Sequence, residues 1–150
     1  MRALIQRVSK GSVTIEGKIY SSIHHGFVIL LGIFKDDSEK DIDKLIPKII
    51  NLRIMDDDDG IMNKSIMETN GEILLVSQFT LCADTQKGRR PSYINAMRPE
   101  SAKILYELFI QKLTNENVSV KTGVFGGFMR VEIINDGPVT ILLNSSHLQY

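Results

Sequence analysis

The sequence predicts an α+β fold, a single domain of mixed β-sheets with two long helices. Three observations carry that prediction. About eight segments have strand character, and two have helical periodicity. The helices separate groups of strands and do not alternate with them one for one, which argues against a regular βαβ repeat. At 150 residues the chain has the length of one domain with a real core.

The elements follow in order. Residues 2–8 read as a strand. In "SVTIEGKIYSSI", Val13 and Ile15 alternate, Glu16-Gly17-Lys18 turns the chain, and Ile19 resumes, which predicts a hairpin. Residues 27–33, "FVILLGI", form an unbroken apolar run of strand length, so this strand is expected to be buried on both faces. Ser38 followed by Asp41 resembles a capping box with Asp in place of Glu. Ile42, Leu45, Ile46, Ile49 and Ile50 then form one apolar stripe, and Pro47 inside it predicts a kink. "DDDDG" fails as a calcium loop, because Met55 and Ile66 would occupy positions that need oxygen ligands; it reads as a solvated turn. Residues 72–78 are a second buried strand, and a polar loop covers 83–92. Pro99 opens an amphipathic helix with Ala102, Leu105, Leu108, Phe109 and Leu113 on one face. Residues 118–121, 129–134 and 139–143 supply three more strands. Gly137-Pro138 interrupts the last two, either as a turn or as a backbone feature built for use.

Composition narrows the function. The chain is 43% hydrophobic and 24% charged with zero formal net charge, so a strongly basic nucleic-acid binder is not indicated. Cys82 is the one cysteine, which fits a reducing compartment. The N-terminal segment lacks the apolar core of a signal peptide, and no apolar run approaches the ~20 residues of a membrane span. A cytoplasmic protein is expected.

Three places could carry chemistry. Ser77-Gln78-Phe79-Thr80 ends an apolar strand, where polar groups are held rigidly for a ligand. Ser77 and Thr80 have nucleophilic hydroxyls without a G-x-S-x-G elbow, and the same residues could simply satisfy strand-end backbone. Lys87, Arg89 and Arg90 cluster on a glycine-bearing loop suited to phosphates or to plain solvation. Phe125, Phe128 and Met129 flank Gly126-Gly127, as a base-stacking surface or as a turn with core aromatics. Cys82 fits a small buried residue better than a nucleophile. One Cys and three scattered His match no metal-ligand spacing, and neither metal nor cofactor is expected.

The combination is more specific than any part. Ser77-Gln78-Phe79-Thr80-Leu81, Lys87-Gly88-Arg89-Arg90-Pro91-Ser92, Phe125-Gly126 and Asn135-Asp136-Gly137-Pro138-Val139-Thr140 occur in this order, after an opening "MRALIQRVS" and with "NLRI" at 51–54. Across nearly the whole chain this closely resembles the D-aminoacyl-tRNA deacylase family. Gly127-Phe128 and Pro47 depart from the family pattern.

The resemblance implies a layered ββα-type homodimer that hydrolyses the ester of D-aminoacyl-tRNA, and of glycine mischarged on tRNA, with the active site at the dimer interface. It implies that Gly137-Pro138 is cis and enters the partner's pocket as a chiral gate, braced by Arg7. Ser77, Gln78, Phe79 and Thr80 would form the catalytic segment, Phe125 and Met129 would hold the terminal adenosine, and Lys87, Arg89 and Arg90 would meet tRNA phosphates. Two alternatives remain. One is the related chirality-relaxed deacylase of L-alanyl-tRNA, against which Ser77 and Phe79 argue. The other is a non-catalytic nucleic-acid-binding dimer.

Overall fold

The computed structural model describes residues 1–148. Strand β1 (Arg2–Ile15) runs into β2 (Lys18–Ile23) through Glu16 and Gly17, both at positive φ (50° and 78°), the geometry of a two-residue hairpin turn. The chain continues through β3 (Gly26–Gly32), α1 (Glu39–Ile50), and a small hairpin of β4 (Met55–Asp56) and β5 (Met62–Lys64). Then come β6 (Glu72–Ser77), α2 (Pro99–Thr114), β7 (Ser119–Thr122) and β8 (Arg130–Asn144).

Six strands form one mixed sheet in the order β2-β1-β3-β6-β7, with β8 along β1. β3, β6 and β7 are parallel, and every pair involving β1 is antiparallel. Ser21 Oγ donates to the Thr122 carbonyl at 2.8 Å, so β2 meets the end of β7 and the sheet nearly closes. This curvature explains why residues 27–33 are apolar without alternation. Phe27, Ile29 and Leu31 face the helices, and Val28 faces a second cluster inside the curl with Val8, Val13, Ile23, Leu74 and Val76. Burial on both faces favours an apolar residue at every position.

Both helices pack on the outer face. In α1 the predicted Ile42, Leu45, Ile46, Ile49 and Ile50 are all buried. Asp41 Oδ2 accepts the Ser38 N–H at 2.9 Å, as the capping pattern requires. The helix continues through Pro47 to Ile50, its apolar stripe holding the last turn against the core. In α2 the buried residues are Ala102, Tyr106, Phe109 and Leu113, with Leu105 and Leu108 partly buried beside them. Tyr106 joins that face because its hydroxyl finds an acceptor, the Leu75 carbonyl at 2.8 Å. The acidic turn is a turn: Asp57 Oδ1 accepts the N–H groups of Asp59 and Ile61, each at 3.0 Å.

Two boundaries differ from the sequence expectation. Residues 2–8 and the first arm of the hairpin are one strand, because Ser9 and Lys10 continue the extended backbone along β8. Residues 129–134 and 139–143 are likewise one strand, β8, so Gly137-Pro138 does not join two strands by a turn.

Cys82 is buried, and burial, followed by the charge of Asp37, pushes its thiol up to about 11. Between the ordinary 9.0 and about 11 the unfolded chain releases this proton while the folded chain keeps it, so this group's effect on stability is a loss as pH rises through that window. The native thiol is expected to resist iodoacetamide at pH 8 and to alkylate in denaturant, as intact-mass measurement would read.

Candidate active site

β6 ends at Ser77 against β3, where the Gln78 N–H donates to the Leu31 carbonyl at 2.8 Å. The chain then tightens into a single 3₁₀ turn, Phe79–Cys82, whose first bond runs from Leu81 N–H to the Gln78 carbonyl at 3.2 Å. The amides of Phe79 and Thr80 precede that bond, so helix geometry supplies them no acceptor. Gln78 Nε2 donates to Thr80 Oγ1 and fixes the hydroxyl. The turn packs closely on Gly32, where a Cβ would lie 2.8 Å from that of Leu81.

A cavity of about 650 Å³ opens at this strand end. Ser77, Gln78 and Phe79 line one side, and Phe125 and Met129, from the segment before β8, line another. Phe79 stands edge-on to Tyr93 with ring centroids 4.9 Å apart, and Phe125 tilts against Tyr106 at 5.6 Å. Met129 is held by the Val124 N–H, 3.2 Å from its sulfur. Five residues that the family resemblance assigns to the site thus meet in one cavity, and Gly126, Gly127 and Phe128 line it beside them. Thr80 does not line it but is tied to Gln78, which does. Among the described residues no histidine lines the cavity, so none stands beside the Ser77 hydroxyl within it.

Gly137 and Pro138 lie elsewhere. Gln6 pairs with Thr140 and Val8 with Asn135, so residues 136–139 stand opposite Arg7 alone as a bulge within β8. The Gly137-Pro138 peptide is cis, and Gly137 has φ 127°, a conformation that favours glycine. Asn135 closes the base of the bulge, accepting the Val139 N–H and donating to Thr140 Oγ1, each at 2.9 Å. Arg7 is 5% exposed beneath it. Its Nε donates to the Asp136 carbonyl at 3.0 Å, and its Nη1 to the Ile54 carbonyl at 2.9 Å and to Asp56 Oδ1 at 2.7 Å. A Cβ on residue 137 would meet Arg7 Nη2 at 2.9 Å.

Lys87, Arg89 and Arg90 are exposed on a loop pinned by reciprocal Asp84–Ser92 bonds of 2.8 and 2.9 Å, and they do not line the cavity. Sequence reasoning missed Tyr93, Met97 and Arg98 on the cavity wall and Asp56 as the partner of Arg7. Only Arg98 had a sequence signal, its place just before the helix-opening Pro99.

The fold is that of a single α+β domain with a mostly apolar cavity at the end of its central strand β6, where Ser77, Gln78 and Phe79 line one wall. The chain belongs to the D-Tyr-tRNA(Tyr) deacylase family, whose model matches residues 4–144. It is 54% identical over 145 residues to the D-aminoacyl-tRNA deacylase of Thermosipho africanus, covering 97% of each chain. It is 54% identical over 148 residues to that of Bacteroides thetaiotaomicron, covering 98% of this chain and 99% of the relative. A solved structure described as c-Myc DNA Unwinding Element Binding Protein superposes with a TM-score of 0.91 at 42% identity, covering 96% of this chain and 98% of the other.

Replacing Arg7 by Met strands the buried Ile54 carbonyl and releases Asp136. Urea unfolding is expected to show a loss of about 2–3 kcal/mol. Amide exchange at Val139 is expected to speed up beyond the global change.

Proposed function

We propose that this protein hydrolyses the ester joining a D-amino acid to the 3′ end of tRNA. The observation that carries it is the meeting of Ser77, Gln78 and Phe79 with Phe125 and Met129 in one cavity, in a chain of this family. Water adds to the ester carbonyl carbon, and the carbonyl oxygen becomes an oxyanion received by the amides of Phe79 and Thr80. The intermediate collapses by breaking the bond to the ribose 3′ oxygen. That oxygen leaves with the proton water gave up, yielding the free amino acid and tRNA. The terminal 2′-OH helps activate the water. An aminoacyl ester is already activated, so positioning and oxyanion stabilisation suffice without a cofactor. Thr80 is a positioning residue. Phe125 and Met129 hold the terminal adenosine, and the exposed Lys87, Arg89 and Arg90 meet tRNA phosphates.

Selection works by rejection. Two copies pair, and the partner subunit's Gly137-Pro138 enters this chain's cavity. Its backbone carbonyls take the substrate α-amino group, so an L side chain would clash, a D side chain points outward, and glycine passes. Two features support pairing. The bulge is not part of its own chain's cavity, and Phe128, Ile134 and Leu142 are 92%, 47% and 55% exposed, large apolar side chains that a second copy would cover. The enzyme would act in the cytoplasm. The relative described as a DNA-binding protein favours a second reading, nucleic-acid binding without hydrolysis.

Hydrolysis of D-tyrosyl-tRNA beside L-tyrosyl-tRNA, without added metal, separates these. Rapid loss of the D ester alone is expected. Loss of both esters would remove the gate, and binding without loss of either would move the protein to the binding class. Thr80→Ala is expected to keep at least about a tenth of the rate, since only a positioning hydrogen bond is removed. Its complete inactivity with tRNA still bound would make Thr80 the nucleophile.

A further inference from the structure

Arg98 is the single formally charged side chain among the described residues lining the cavity. Arg2, Arg7 and Arg53 are each committed to carbonyl acceptors, whereas among the described residues no hydrogen bond or ion pair engages the Arg98 guanidinium. An exposed, unpaired cation at the edge of an apolar chamber suits a ligand with one flat apolar part inside and one anionic part near solvent.

Two backbone anchors, one at the end of β3 and one just past it, narrow the choice. The Leu31 carbonyl holds Gln78, at the catalytic segment, and the Ile33 carbonyl holds the Met97 N–H at 3.0 Å, next to Arg98. Two residues along extended backbone separate these anchors by about 7 Å. One ribose separates a nucleotide's 3′ oxygen from its own 5′-phosphate by a distance of the same order. We infer that Arg98 binds the 5′-phosphate of the terminal nucleotide whose 3′ ester is cleaved, an inference that rests on the deacylase function proposed above. Arg98 would then read the first backbone phosphate of the acceptor end, close to the chemistry. The exposed Lys87, Arg89 and Arg90 would serve phosphates further along.

The test compares Arg98→Met and Arg98→Lys with the unmodified protein on two small substrates, the 3′-D-tyrosyl esters of adenosine and of adenosine 5′-monophosphate. Arg98→Met is expected to raise KM about three- to tenfold on the phosphate-bearing ester, with kcat held within twofold and the loss confined to that ester. Arg98→Lys, which keeps the charge, is expected to recover most of the loss. Equal loss on both esters, or none on either, would overturn the assignment. Calorimetric binding of adenosine 5′-monophosphate against adenosine gives a readout that does not need hydrolysis. If the unmodified protein cleaves neither ester, the deacylase function fails at this level. The same three- to tenfold preference for the phosphate, lost in Arg98→Met, would still uphold the contact, and its absence would sink it.

Discussion

The pairing of β1 with β3 on one edge and β8 on the other is the constraint on which the rest depends. The β3 edge sets the register that brings β6 alongside, and so fixes where Ser77 and the 3₁₀ turn end up. The β8 edge could run unbroken from Arg130 to Asn144 were it not for one mismatch, four residues opposite a single Arg7. A sheet cannot absorb three extra residues by stretching, so they leave the plane. A guanidinium beneath them, bonded to two carbonyls and a carboxylate, holds the excursion in one shape. One strand thus sets both the cavity end of β6 and the bulge in β8.

Much of this was legible in the sequence. The apolar stripe of α1, the Glu16-Gly17 hairpin, the Asp57 turn and the doubly buried β3 each have a local signature, and each is where that signature places it. The grouping of Ser77, Gln78 and Phe79 was visible because the residues are consecutive, and the link to Phe125 and Met129 came through family resemblance. What was not legible depends on distant partners. Tyr106 looks too polar for a core until the Leu75 carbonyl is known to face it. Arg98 and Tyr93 reach the cavity through the path of the 83–98 segment, which has little periodicity to read. The continuity of β8 was hidden because glycine and proline usually end strands, whereas here a neighbouring strand supplies the missing support.

The site is chemically spare. Its walls are mostly aromatic and aliphatic, and its polar groups are a carboxamide, hydroxyls, backbone groups and one guanidinium, that of Arg98. Such a chamber excludes water from the flat parts of a ligand and leaves a few fixed dipoles at the reacting end, where low polarity strengthens them. For an activated ester that is sufficient equipment.

The acidic hairpin has a mechanical role that its surface position conceals. Asp56 lies in β4, one residue before the turn tied together by Asp57, and its carboxylate is the outer clamp on Arg7. Force applied at residues 136–139 therefore passes through a buried guanidinium into a small, separately hydrogen-bonded ribbon. The bulge is braced from behind by a strut, and the outer anchor of that strut, Asp56, belongs to a hairpin that lies outside the cavity.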